Sequence, residues 1–454
     1  MTGPVRHPLT FVRMAQGWSL QDLAKVIAGA ATAQGVNMAS GREKPWRWEN
    51  RGVVPDEVTQ LALAHVLGVP DERVRELGWP HWLPAGDEIP SFAWTQTGTI
   101  EALEDVLKHG VRDRRGFMKL SGAALVVLAQ QWLAQEPGEL SAVLRGGRVT
   151  DAFVDRLEEG LPRLRYLEAE RGGLRARQLI DAELGIVAEV LANGSCNTAL
   201  SRRLFALAGE LGRMAGWAAF DAGAHAAAQR YWTAALHAAH SASDRLLGAN
   251  ILKSMSLQCY DFDQPGEALA LARSAYEGAG EATTPRTRAM LALREARAHA
   301  ALGDRGACER LLAAADDAMA RADTGDADPA WLSYFDDAEF FAQVGTCYLD
   351  LGQRAPDRLT TADTYLARTL HMLPESKVRD RATYLTRRAS AQARLGNVDH
   401  ACRLMAETVP LVQAAPSERN ARRLMRARGR LPSGRRDARV RELDEQLATS
   451  GVAG

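Results

Sequence analysis

Gly216-Trp217-Ala218-Ala219-Phe220-Asp221-Ala222-Gly223, followed by Ala224-His225-Ala226-Ala227-Ala228-Gln229-Arg230-Tyr231-Trp232-Thr233-Ala234-Ala235, reads as two helices joined by a glycine turn. Small residues at Gly216, Ala228 and Ala235 let the two helices approach, Gly223 supplies a tight turn, and Trp232 fills the space between them. The same order of small, turn, small, bulky, small recurs as Ser256, Asp263, Ala268, Ala272 and Ala275. It recurs again as Ala296, Gly303, Cys308, Leu312 and Ala315, and as Ala389, Gly396, Ala401, Met405 and Thr408. Gly345, Tyr348 and Gly352 open a further copy, whose second helix resumes at Ala362 after an insertion around Pro356. A self-similarity of about 40 residues is the signature of a stacked solenoid. Two degenerate pairs are expected ahead of these hairpins, between Thr150 and Ala206.

This spacing resembles the tetratricopeptide repeat. The resemblance implies a concave groove lined by the first helix of each hairpin, an extended surface suited to a peptide or a partner segment. Mapped onto this chain, the groove positions are Glu210, Arg213, Trp217 and Asp221, then Asn250, Lys253, Tyr260 and Asp261, and from later units Arg297, Glu339, Thr386, Ser390 and Arg394. Arg213 and Asn250 are suited to a peptide backbone or a carboxylate, and Trp217 and Tyr260 to an apolar floor. The plainer alternative is a solvated groove whose residues have no special task.

The first 78 residues have a different rhythm, with short helices expected at 9–16, 20–28, 45–50, 56–67 and 72–77. Ser19 is an N-cap, Gly52 a stop, Pro55-Asp56 an opening, and Gly68-Val69-Pro70-Asp71 a break. Leu20-Gln21-Asp22-Leu23-Ala24, Trp48-Glu49, Gly52, Pro55 and Ala64-His65-Val66-Leu67-Gly68-Val69 resemble the Xre-type, lambda-repressor-like helix-turn-helix regulators. That resemblance implies binding of double-stranded DNA, with the second helix of the pair in the major groove. Arg42, Glu43 and Lys44 then stand at its entry, with Trp46, Arg47 and Arg51 on its face. Arginine and lysine donate to guanine edges or phosphates, and tryptophan packs on bases. Trp48, Leu20, Leu23, Leu61, Leu63, Val66 and Leu67 are the expected core, and Glu49 is expected to hold the fold together. The chain departs from the family in an added loop between Gly29 and Gly41 and in Pro45, which takes a position usually held by a buried aliphatic residue.

A chain of 454 residues with 46% hydrophobic content is large enough for several domains, and its 56 basic and 56 acidic side chains cancel. Global charge therefore says nothing about nucleic acid. The five cysteines, Cys196, Cys259, Cys308, Cys347 and Cys402, lack metal-site spacing and read as reduced thiols; no metal or cofactor is expected. No apolar leader and no run of about 18 apolar residues is present, so a cytoplasmic protein with no membrane association is expected. Arg114-Arg115-Gly116-Phe117-Met118-Lys119 and the apolar run after it resemble a twin-arginine export signal, but an internal position favours a linker helix.

The expected architecture is all-α: a five-helix helix-turn-helix domain over 1–78, a linker with an apolar helix over 79–149, a tetratricopeptide-like α-solenoid over 150–432, and a capping helix and tail over 433–454. Glu418 to Arg441 carries ten arginines and two acids, read either as a second phosphate-contacting surface or as a solvated last helix. Catalysis is not expected: no phosphate-cradling loop, HExxH or nucleophile elbow occurs. A helix-turn-helix joined to tetratricopeptide repeats is similar to actinobacterial developmental and antibiotic regulators and to peptide-pheromone receptors. The similarity implies a homodimeric regulator, expected to be a repressor, whose groove takes a peptide or small-molecule signal. The alternative is an interaction scaffold whose head has lost DNA.

Overall fold

Ser19 and Asp22 open the second helix of the chain reciprocally. The Ser19 hydroxyl accepts from the Asp22 amide at 3.1 Å, and the Asp22 carboxylate accepts from the Ser19 amide at 3.0 Å. In a computed structural model of the protein, this helix is one of five in the head: α1 (Pro8–Ala15), α2 (Leu20–Ala33), α3 (Glu43–Arg51), α4 (Glu57–Leu67) and α5 (Asp71–Leu77). The structure describes residues 8–33, 35–51, 53–77, 79–80, 82–83, 95–110, 143–144, 146–171, 173–280, 283–323, 325–433 and 437–452. The chain divides into two compact units, Met1–Ala102 and Leu103–Gly454.

Leu9, Val12, Leu23, Ile27, Trp48, Leu63, Val74 and Trp82 form the core of the head. Leu20, Leu61, Val66 and Leu67, also expected there, are half-buried. Trp82, which the sequence assigns to the linker, is 3% exposed and donates its indole N–H to the Gln60 carboxamide at 2.9 Å. The expected insertion is partly helical. Ala28-Gly29-Ala30-Ala31-Thr32-Ala33 extends α2, because alanine is the strongest helix former and Ala31 is fully buried. Gly52 and the twin-arginine-like segment with its apolar run lie outside the described residues, and α6 (Gln96–Gly110) precedes that segment.

The second unit is an all-α solenoid. It begins with α7 (Asp151–Glu159), α8 (Leu161–Arg171) and α9 (Gly173–Asn193). Hairpins follow: α10 (Thr198–Asp221) with α11 (His225–Ala242), α12 (Arg245–Cys259) with α13 (Pro265–Gly278), α14 (Pro285–Leu302) with α15 (Arg305–Ala320), α16 (Asp337–Leu351) with α17 (Arg358–Met372), and α18 (Val378–Arg394) with α19 (Val398–Ala414). A last pair, α20 (Glu418–Arg428) and α21 (Ala438–Ser450), covers the end. Val440, Leu443 and Leu447 of α21 pack with Met405 and Leu424.

The repeat residues sit where helices touch. Ala228, Trp232, Ala235, Ala268, Ala272, Ala275, Cys308, Ala315, Ala362, Leu366, Ala401 and Met405 are fully buried. A Cβ on Gly216 would lie 2.4 Å from the Trp232 ring, so only glycine fits there. Ser256, at the equivalent position of the next hairpin, donates its hydroxyl to the Ala268 carbonyl at 2.8 Å. Gly223, Gly303 and Gly396 turn with positive φ, and Asp263 adopts the same left-handed conformation at φ 56°. Gly352 is the exception at φ −58°: the residues inserted around Pro356 carry the chain across without a left-handed step. All five cysteines are free, with Cys308, Cys347 and Cys402 buried. Among the described residues, no helix is long and apolar enough to cross a membrane.

Gly216→Ala tests the hairpin packing. Its methyl meets a buried indole that cannot move aside, and a loss of about 1–3 kcal/mol is expected from overpacking, read as a lowered midpoint in urea unfolding.

Candidate ligand cavity and nucleic-acid face

Within the head, α3 is divided by burial. Pro45 and Trp48, three residues apart, face the core, and the Glu49 carboxylate is 5% exposed. Glu49 accepts from Arg13 Nε at 2.6 Å, Arg13 Nη2 at 3.0 Å and the Thr10 hydroxyl at 2.9 Å, which ties α1 to α3. The opposite face carries every residue selected from the sequence for DNA: Arg42, Glu43, Lys44, Trp46, Arg47 and Arg51 are exposed. Trp46 is 42% exposed, with the Arg51 guanidinium 5.3 Å from its ring centroid. Gln21 of α2 reaches the Ser40 carbonyl at 2.8 Å and braces the approach to α3.

In the solenoid, one carboxylate joins elements far apart in sequence. Asp221, at the end of α10, is 1% exposed. It accepts from Arg379 at 3.2 Å, Arg419 at 3.0 Å and the Ser417 hydroxyl at 2.8 Å, partners 158 to 198 positions away. Burial alone would push this carboxyl up, but Arg419 and Arg379 outweigh it and hold Asp221 below the ordinary carboxylate range. Arg379 also pairs with Glu168 of α8 at 3.1 Å. In the arginine-rich C-terminal stretch, part of α20 turns toward the first hairpins, while Arg426 stays exposed. Arg419 is 8% exposed, Arg423 pairs with Asp261 at 3.4 Å, and Arg422 contacts His225 at 2.9 Å. These side chains turn inward because acids and a ring nitrogen of the first hairpins lie opposite them.

The curved inner surface encloses a cavity of about 630 Å³. Of the groove residues expected from the sequence, Arg213, Trp217, Lys253, Arg297 and Glu339 line it. Tyr260, Asp261, Thr386 and Ser390 line a smaller neighbour of about 290 Å³, which shares Arg297. Glu210 and Asn250 line neither, a correction to the sequence mapping. Glu210 is 3% exposed behind Arg213 and Arg165, at 2.9 and 3.0 Å, and Asn250 is fully buried with its carboxamide unpartnered. Glu210 is thus spent on pairing α10 with Arg165 of the earlier helix α8. Arg394 donates to the Leu349 carbonyl at 2.8 Å.

Sequence reasoning missed Arg294 and Arg387, which also line the main cavity. Both stand two residues before the small packing residue of their hairpin, Ala296 and Ala389, so a shared register was the available signal. It missed Trp331 and Tyr334 too, which belong to the irregular connection ahead of α16 and carry no repeat signature. The Lys253 ammonium donates to the Tyr334 hydroxyl at 2.7 Å, and burial with Arg294 and Arg213 nearby holds it well below the usual lysine range. Burial, with Asp380 adding to it, pushes the Glu339 carboxyl up, against hydrogen bonds from Tyr384 and Gln343.

No protein-family model matches the chain, and no curated protein matches it. Among solved structures it is similar to the aspartyl phosphate phosphatase F of Bacillus subtilis, at 15% identity and a TM-score of 0.37, over 80% of this chain and 86% of that one.

Two substitutions test these anchors. Asp221→Ala strands the buried Arg419 guanidinium, leaves Arg379 with Glu168 alone, and is expected to cost about 3 kcal/mol. Because the folded pKa of Asp221 is lowered, its contribution is fully present above about pH 3.9 and is lost as pH falls through the lower folded value. The stability gap between the natural protein and Asp221→Asn should therefore narrow as pH falls below about 3.9 in acid titrations. Glu49→Ala removes the anchor of Arg13 and Thr10. A loss of about 3 kcal/mol confined to the head should appear as a separate, earlier thermal transition.

Proposed function

We propose that this protein is a sequence-specific DNA-binding transcriptional regulator, acting as a repressor, whose solenoid receives a signal in its cavity. The observation that carries this reading is the division of α3: Pro45, Trp48 and Glu49 serve the fold, while Lys44, Trp46, Arg47 and Arg51 stay on the exposed face, with Arg42 exposed just ahead of it. A helix that turns its apolar residues inward and displays cations beside an open indole has what base edges and phosphates require. The Xre-like residues in the sequence support the same reading. The regulator binds as a homodimer, with two heads meeting half-sites about one helical turn apart. A signal in the cavity alters DNA affinity only by favouring one arrangement of the dimer over another.

An electrophoretic shift over a series of salt concentrations, with DNA from upstream of the protein's own gene, checks this. Arg42→Ala with Lys44→Ala should weaken the complex and lower the magnitude of the log–log salt slope by about two, one for each phosphate left without its cation. Absence of any salt-sensitive specific complex with the natural protein would replace the regulator by an interaction scaffold. Unchanged binding by the double variant would move the contact surface away from α3.

A further inference from the structure

The solenoid cavity holds more positive charge than its own carboxylates neutralise. Arg213 is paired with Glu210, Arg297 with Asp350, and Arg379 and Arg419 with Asp221. Lys253, Arg294 and Arg387 line the same cavity and have no carboxylate within ion-pair distance among the described residues. Arg294 is 5% exposed, and its Nε has no hydrogen-bond partner. Lys253 is 6% exposed and leans on a neutral phenol. Arg387 lies over the Tyr384 ring, 5.6 Å from its centroid. On the acidic side, Glu168 is taken by Arg379, and Glu339 is capped by Tyr384 and Gln343, in surroundings that favour its neutral form. Only Asp380 is left among the lining acids, while Arg165, which shares Glu210 with Arg213, and Lys377 also line the cavity, so its cations outnumber the carboxylates available to them.

A buried charge without a counter-ion costs several kcal/mol, and an arrangement that concentrates such charges around an opening is completed by an anion from outside. Guanidinium forks match the planar edges of carboxylate and phosphate. Trp217, Trp331 and Tyr334 add aromatic surface to the wall, and the volume lies within the roughly 300–1,000 Å³ usual for small-molecule sites.

We propose that this cavity is the binding site of a small organic dianion. Its two negative charges, on two carboxylates or on one phosphate, are held by Arg294, Arg387 and Lys253, and its apolar body lies against Trp217, Trp331 and Tyr334. This deepens the signal-receiving role proposed above and rests on it.

Benzamide, benzoate, isophthalate and phenyl phosphate present one ring with no charge, one charge and, in the last two, two charges. Titrated into the full chain by calorimetry and thermal shift, isophthalate or phenyl phosphate should bind about tenfold or more tighter than benzoate, the size of one charge-assisted contact, and benzamide should not bind. Whichever dianion is preferred identifies the acid group. Arg294→Met with Arg387→Met should erase the preference. Arg294→Met alone should leave or raise the melting temperature without ligand, since its guanidinium has no ion-pair partner to give up, and should weaken the dianion about tenfold. A marked fall in that melting temperature would make Arg294 a structural residue and overturn the assignment. So would benzamide binding as tightly as isophthalate, a dianion preference that survives the double substitution, or a C-terminally amidated acidic pentapeptide binding tighter than both dianions. Gel shifts on the same preparations without ligand separate the two proposals. An intact DNA complex with no dianion binding sinks only this inference; dianion binding with no DNA complex sinks only the regulator.

Discussion

The Asp221 carboxylate is the constraint on which the cavity depends. A repeat solenoid ordinarily gains its stability from neighbours alone, so its two ends have no reason to meet. Here Arg379 and Arg419 arrive at the end of α10 from hairpins at the other end of the chain, and Ser417 completes the set. Taking three charges out of water is worthwhile only when the geometry satisfies each of them. It does so here, since Asp221 accepts three hydrogen bonds and Arg379 finds a second acid in Glu168.

Once the ends are tied, inward-facing side chains lose the option of reaching bulk solvent. Arg213, Arg294, Arg297 and Arg387 then crowd one space, and burial pulls the Arg387 guanidinium down to about 10. The outer layers of the solenoid are the opposite case. They are built from alanine, glycine and single bulky residues such as Trp232 and Met405, whose packing rests on close contact rather than on charge. Stability and reception are thus assigned to different surfaces of the same helices. The second helices and the small residues hold the stack; the first helices carry the charge.

The head repeats this division on a smaller scale. In the nine residues of α3, two side chains enter the core, one carboxylate fastens Arg13 and Thr10, and the exposed remainder is mostly cationic or aromatic. Its division was legible in the sequence, because burial on a helix follows a period of three to four and Trp48 fixes the phase. Most of the repeat register was legible for a related reason: a glycine beneath Trp232 and left-handed turns at Gly223, Gly303 and Gly396 leave little choice of residue. Less legible was the fate of single polar side chains. Glu210 and Asn250 satisfy the same spacing rule as Arg213 and Lys253, yet they fall behind the cavity wall, since a rule based on helical phase cannot resolve the tilt of one hairpin on the next.

By itself the sequence determined the five clear solenoid hairpins and the faces on which their small residues meet, all set by contacts within about 40 residues along the chain. Only the tertiary structure decided that Arg419 and Arg423 of the helix near the C-terminus turn inward, that Trp331 and Tyr334 reach the cavity, and that Lys253, Arg294 and Arg387 share one space with no carboxylate paired to any of them. Those outcomes depend on the summed rotation of successive hairpins. Small angles add from one pair of helices to the next, and no local pattern of residues records where their sum will bring the two ends.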